Sequence, residues 1–202
     1  MYELMILSIL IREKAHGYLI ASIINDIIGP YARISNGRLY PLLAKLEELG
    51  MIVAVDESGK TAKGDRNLRR YEITDTGRER FRALMMDTSS NPGEYRQVFL
   101  LKASVLRFLK PAERLYLIEH YINYCQAHIL HLNSERDDLV TKAPIKAEQL
   151  TATLNVMQHL IDQWRLELDW ARSLRENELA HAEGMDDSQA DKFLKSENPS
   201  SS

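Results

Sequence analysis

Apolar positions alternate with polar ones at helical spacing through most of the chain, and each change in that rhythm marks a new element. Over residues 2–12, Leu4, Ile6, Leu7, Leu10 and Ile11 make one broad apolar face, the pattern of a deeply buried helix. Lys14-Ala-His-Gly17 predicts a turn. Leu19, Ile20, Ile23, Ile24, Ile27 and Ile28 predict a second helix over 18–28, stopped by Gly29-Pro30. A third helix starts near Asn36, capped by Ser35 or Asn36, and Leu39, Leu42, Leu43, Leu46 and Leu49 repeat along one side before Gly50 ends it. Pro41 interrupts this helix and predicts a distortion near Gly37, because proline offers no amide hydrogen to the preceding turn.

The period then changes to two. Met51 to Val55 predicts a short strand and Leu68 to Ile73 its return, with Tyr71 and Ile73 on one face and a polar turn between. Thr74 or Asp75 caps a fourth helix running to about Met86. Asp87 to Glu94, polar and containing Pro92 and Gly93, is the natural boundary. Helix resumes over Tyr95–Leu109, and two long helices follow, about 112–141 and 145–182, broken near Pro144. The expected architecture is mainly α with a small β-hairpin. One domain over 1–87 precedes a helical domain over 95–182, and a polar, disordered tail fills 183–202.

Charge sharpens this picture through its distribution. The net charge of -3 announces no polyanionic partner, but the first 87 residues carry a small excess of base and the remainder an excess of acid. The base concentrates between residues 58 and 70, where Lys60, Lys63, Arg66, Arg69 and Arg70 face a single acid, Asp65. With its leucines inward, the third helix turns Asn36, Arg38, Tyr40, Ala44 and Lys45 outward. Arg38 can donate bidentately to guanine, Asn36 can pair with adenine or hold a phosphate, and Lys45 can meet the backbone. Taken alone, that face is also what any solvated helix shows. A leucine-backed helix followed directly by a cationic hairpin is the layout of a winged helix-turn-helix, which binds duplex DNA.

His16-Gly17-Tyr18, the run Gly37-Arg-Leu-Tyr-Pro-x-Leu-x-x-Leu-Glu-x-x-Gly50, and Arg70-Tyr-Glu-Ile-Thr-x-x-Gly77 resemble the PadR family of bacterial transcriptional regulators over residues 1–86. The long helical remainder is similar in size and layout to the AphA-like branch, with Phe99-Leu-Leu-Lys102 as a weaker local match. The resemblance implies a winged-helix repressor or activator that dimerises through its C-terminal helices, and some members respond to phenolic acids or other small hydrophobic compounds. By matching positions it implies DNA contacts from Ser35, Asn36, Arg38, Tyr40 and Lys45, with the Lys60–Arg70 wing on adjacent phosphates. Tyr71 and Thr74 take structural roles.

In the long helices, Leu115, Ile118, Ile122, Cys125 and Ile129 space three and four apart, and Leu154, Met157, Ile161, Trp164 and Leu168 repeat the pattern. Such seams suit a dimer interface, the favoured reading, with an intramolecular bundle as the alternative. Tyr116, Leu160, Leu166 and Trp170, off the seam, exceed what two helices can cover. Two readers on a twofold axis match a palindromic operator with half-sites about one DNA turn apart, whereas one alone reads few base pairs. Tyr95, Arg96 and Phe99 are candidates for a small-molecule effector site, with the arginine meeting an anionic group.

His120, His128 and His131 lack an obvious completing carboxylate, so no metal site is expected, and no nucleotide or nucleophile motif points to a cofactor or to catalysis. The single cysteine, Cys125, excludes an internal disulfide. The apolar N-terminal run lacks a basic leader, and no apolar run approaches the roughly 20 residues that span a bilayer. The expectation is a cytoplasmic regulator, most simply a repressor, with operator DNA and a second copy as partners and no membrane. The alternative is a helical protein–protein adaptor on a winged-helix scaffold.

Overall fold

The computed structural model describes residues 1–55, 69–89, 92–142 and 147–184, and divides into two compact units that meet between Leu109 and Lys110.

The first unit forms around α1 (Tyr2–Leu10), where every residue from Leu4 to Leu10 is buried. Apolar side chains all round a helix leave no face for water, so α1 packs against α2 (Gly17–Ile28), α4 (Asp75–Met86) and β3 (Arg70–Ile73). Ile20 and Ile24 bury the inner side of α2, whereas Leu19 and Ile27 stay exposed. In α3 (Asn36–Glu48), Leu39, Leu43 and Leu46 enter the core, while Leu49 falls outside the helix and is exposed. Gly50, at φ 68°, closes the helix: its amide bonds Glu47 O at 3.0 Å and the Met51 amide bonds Leu46 O at 2.9 Å. This pair of bonds uses carbonyls the helix end would otherwise leave open, and needs the left-handed residue that glycine supplies.

The sheet has three antiparallel strands in the order β1 (Ala15–His16), β3, β2 (Ile52–Val55). The expected turn at 14–17 therefore contains a strand: Ala15 pairs with Tyr71 and His16 with Arg70. A two-residue strand has too few positions to display alternation, so its pairing is invisible to periodicity. Ala15, Tyr71 and Ala54 align across the sheet and are all buried. α5 (Tyr95–Ala103) is shorter than the expected helix to Leu109; a turn at Ser104 leads into a single 3-10 turn, Leu106–Phe108.

The second unit is an antiparallel helical hairpin of α6 (Pro111–Lys142) and α7 (Ala147–Gly184). Its pairing is fixed by Arg114–Glu178 and Glu119–Arg175, each at 3.2 Å, and by Tyr121 Oη donating to Glu167 Oε2 at 2.8 Å. Leu117, Ile118, Tyr121, Ile122 and Cys125 of α6, with Met157, Ile161, Leu168 and Ala171 of α7, are buried. The expected break at Pro144 and, from residue 185, the expected tail lie outside the described residues. No helix among the described residues is long and apolar enough to cross a membrane.

Candidate nucleic-acid interface

Three local devices in the first unit set the outer face of α3 and the root of the β2–β3 hairpin. The turn entering α3 is tied back to α2, where Asn25 Oδ1 accepts from the Ile34 amide at 2.7 Å. Ser35 is the N-cap residue, and its carbonyl accepts from Arg38 and Leu39 at 3.0 Å each, while its hydroxyl makes no capping bond. The helix then runs through Pro41, which has no amide hydrogen to offer the Gly37 carbonyl.

At the other end of α3, Thr74 joins two corners. Its Oγ1 donates to Gly50 O at 2.6 Å and accepts from the Gly77 amide at 3.1 Å, and its own amide bonds Met51 O at 3.1 Å. Thus the exit of α3 and the entry of α4 are one hydrogen-bonded unit.

The third device is His16. Its Nδ1 lies 3.3 Å from Arg69 O, and Arg70 Nε donates to its Nε2 at 3.0 Å. Both bonds are satisfied by the neutral ring with hydrogen on Nδ1, which places β1 as a brace under the first residues of the returning strand.

The outer face of α3 presents Ser35, Asn36, Arg38 and Lys45, all exposed, with Gly37 and Ala44 exposed between them. The Arg38 guanidinium sits over the ring of Tyr2, 4.6 Å from its centroid. Tyr40 is half-buried, because its ring lies on the start of α2: a Cβ added at Gly17 would stand 3.0 Å from Tyr40 Cε1. At the hairpin root Arg70 is exposed, whereas Arg69 is half-buried and 3.9 Å from Glu47 of α3. Lys60, Lys63 and Arg66 lie outside the described residues. Sequence reasoning missed His16 and Tyr2. The His16-Gly17-Tyr18 motif was the available signal for the first, while nothing in periodicity links a residue at position 2 to one at 38.

The remaining candidates are placed as follows. Tyr95 and Phe99 are buried in the first unit with ring centroids 6.4 Å apart, and Arg96 is exposed. Beside them Lys102 is buried, 1% exposed; its Nζ donates to Asp87 O at 2.6 Å and lies 5.9 Å from the Tyr95 ring centroid. Burial pushes the Lys102 ammonium down to about 8, against the smaller opposing pull of the Asp87 charge.

Of the seam residues, Ile118, Ile122, Cys125, Met157, Ile161 and Leu168 are buried, and Leu115, Ile129, Leu154 and Trp164 half-buried. The α6 and α7 of one chain pack on each other over this seam. The large apolar side chains that the hairpin leaves exposed include Tyr116, Leu130, Val156, Leu160 and Leu166. His128 stacks on Trp164 with centroids 4.2 Å apart and planes 7° from parallel, and burial and the neighbouring His131 both lower its pKa.

Residues 6–83 match the model of the Transcriptional regulator PadR-like family and form a domain of that family. No curated protein matches the chain. Among solved structures, it is similar to Bacillus subtilis PadR in complex with operator DNA, with 19% identity, 87% of this chain and 98% of that one covered, and a TM-score of 0.38. The same protein in complex with p-coumaric acid gives 19% identity, coverage of 87% and 97%, and a TM-score of 0.37. The Vibrio cholerae virulence activator AphA gives 14% identity, coverage of 90% and 99%, and a TM-score of 0.34.

Proposed function

We propose, for a chain whose residues 6–83 are a PadR-like regulatory domain, that it binds duplex DNA in a sequence-specific manner, as a homodimeric repressor on a palindromic operator. The observation that carries this reading is the outer face of α3. Ser35, Asn36, Arg38 and Lys45 are exposed at the start and along the outer side of α3, with Gly37 and Ala44 exposed among them, next to a hairpin whose connecting segment carries Lys60, Lys63 and Arg66. An arginine near the start of a helix can reach base edges, while the basic segment meets phosphates without sequence preference.

The dimer is supported by the second unit, where large apolar side chains remain exposed on both helices of the hairpin after its own seam is closed. We assign the second copy to that remaining surface, together with the half-buried members Leu115, Ile129, Leu154 and Trp164 of the seam. A small phenolic effector is the proposed release signal, with Tyr95, Arg96 and Phe99 as its candidate residues. Because Tyr95 and Phe99 are covered, such a ligand acts by moving α5.

The test is retention of genomic duplex fragments by the full-length protein, followed by affinity measurement on a retained fragment from about 50 to 200 mM salt. Sequence-dependent retention and a steep loss of affinity with salt are expected. Uniform retention of all fragments, or affinity flat across that range, would overturn the reading.

A further inference from the structure

We propose that Tyr2 is a specificity-positioning residue: its ring holds the Arg38 guanidinium in the pose from which it reads a base. This inference rests on the reading of α3 as the helix that enters the groove.

Arg38 leaves the third residue of α3 into solvent, and its described side-chain interaction is the one with Tyr2, at 4.6 Å from guanidinium carbon to ring centroid. A free arginine side chain samples many rotamers, and each contact it makes must first overcome that freedom. Stacking over a ring restricts the side chain before DNA arrives. It does so without consuming the recognition chemistry. The attraction of a cation to an aromatic ring acts through its charge, and when the guanidinium lies parallel to the ring its face makes the contact while the hydrogen-bond donors lie around its rim. The bidentate fork that pairs with guanine O6 and N7 therefore stays available while the face is held.

The platform is itself fixed. Tyr2 is the first residue of α1, a place where a helix commonly frays, but Glu3 beside it is gripped by Arg80 of α4 through two bonds, Nε to Oε1 at 2.7 Å and Nη2 to Oε2 at 3.1 Å. From Leu4 onward α1 is buried. The ring of Tyr2 is half-buried, with one face under the arginine. Thus a side chain 36 positions away in sequence is braced by the most buried helix of the domain. A lysine at position 38 would lack the planar face for stacking and the fork for guanine.

The test uses the full-length protein and duplexes it selects from a random-sequence pool. Base preference is measured at each position for the wild type, Arg38→Ala, Tyr2→Leu, Tyr2→Phe and Tyr2→Trp, along with thermal stability and the salt dependence of affinity. Arg38→Ala should erase preference at one position of each half-site. Tyr2→Leu should lower discrimination at that same position by about two- to fivefold, the worth of an exposed cation–aromatic contact, with salt dependence unchanged. Tyr2→Phe should keep wild-type discrimination and Tyr2→Trp should keep or raise it. Discrimination by Tyr2→Leu equal to wild type, where Arg38→Ala loses it, overturns the inference and leaves the α3 reading standing. A loss spread evenly over all positions, or one shared by Tyr2→Phe, also overturns it. If Arg38→Ala changes preference at no position, the α3 reading itself falls and the inference with it. Should Tyr2→Leu prove unfolded, loss of discrimination in the folded Tyr2→Trp protein overturns the proposal, and its retention at that position supports it.

Discussion

Gly77 lies directly against the main-chain carbonyl of Met51: a Cβ added at Gly77 would overlap that oxygen and would come within 2.7 Å of Ile73 Cγ1. The obstacle is backbone, which accepts the Thr74 amide bond and leads directly into β2, so it cannot move aside as a flexible side chain would. Gly77→Ala is expected to destabilise the first unit at the upper end of the ~1–3 kcal/mol overpacking range. Gly93→Ala, where an added Cβ meets nothing within 4 Å, should stay within about 0.5 kcal/mol of the parent. Denaturant midpoints at matched m-values measure both, and equal midpoints would remove the close-approach account.

Gly17 and Tyr40 form the second close pair, and here the obstacle is a side chain. A methyl at Gly17 would sit 3.0 Å from Tyr40 Cε1 and 3.3 Å from its Oη, so the ring must yield by a few tenths of an ångström. The expected result is non-additivity. Gly17→Ala costs about 0.5–1.5 kcal/mol in the parent and much less when Tyr40→Leu has removed the ring. Because Tyr40 stands on the helix proposed to read DNA, Gly17→Ala should also weaken operator binding. A double-mutant cycle with no coupling would show that the ring does not feel position 17.

The two pairs explain what was legible in the sequence. Apolar stripes marked α3, α6 and α7 because burial along one face repeats over several turns, and a nearly continuous apolar run marked α1, which is buried all round. The glycines at 17, 50 and 77 were visible as motif residues, but their separate reasons came only with tertiary contact: a ring, a left-handed cap and a carbonyl. Ala15-His16 reads as part of a turn because two residues cannot show a period. The α6 seam suggests a second copy, but α7 can cover it too, since periodicity records that a face is covered but not by which chain. The Tyr2–Arg38 contact had no local signature at all.

Arg38 and Lys63 should fail in different ways if the outer face of α3 and the basic segment after β2 divide the labour as proposed. Arg38→Ala is expected to cost about 1–3 kcal/mol on the preferred duplex and to relax base preference. Lys63→Ala should weaken binding to all duplexes alike and reduce the slope of log affinity against log salt by about one. Competition binding on preferred and scrambled duplexes across a salt series separates these outcomes. If both variants kept parental binding, the proposed docking face would be abandoned.

Lys102 gives the first unit a stability that rises with pH, the direction that burial of a cation dictates. Lys102 is only 1% exposed, and its ammonium pKa is lowered to about 8 in the folded protein from the ordinary 10.5, chiefly because burial disfavours the charge. Below about 8 both folded and unfolded chains are protonated here, and the folded state carries the full cost of the buried charge. Between about 8 and 10.5 the folded state has released the proton while the unfolded state still holds it, so stability rises with pH through that window. Above it both are neutral and the cost has gone. The neutral amine still donates to Asp87 O, so the contact survives deprotonation. Lys102→Met keeps an unbranched chain of similar length and removes the titration. The stability of the parent relative to Lys102→Met should therefore climb by an amount on the order of 3 kcal/mol in total as pH rises through this range. Using the difference cancels the tyrosines and other lysines that titrate in the same range. Parallel stability curves for the two proteins from pH 7 to about 10 would mean that the ammonium reaches water and is not held as the geometry indicates.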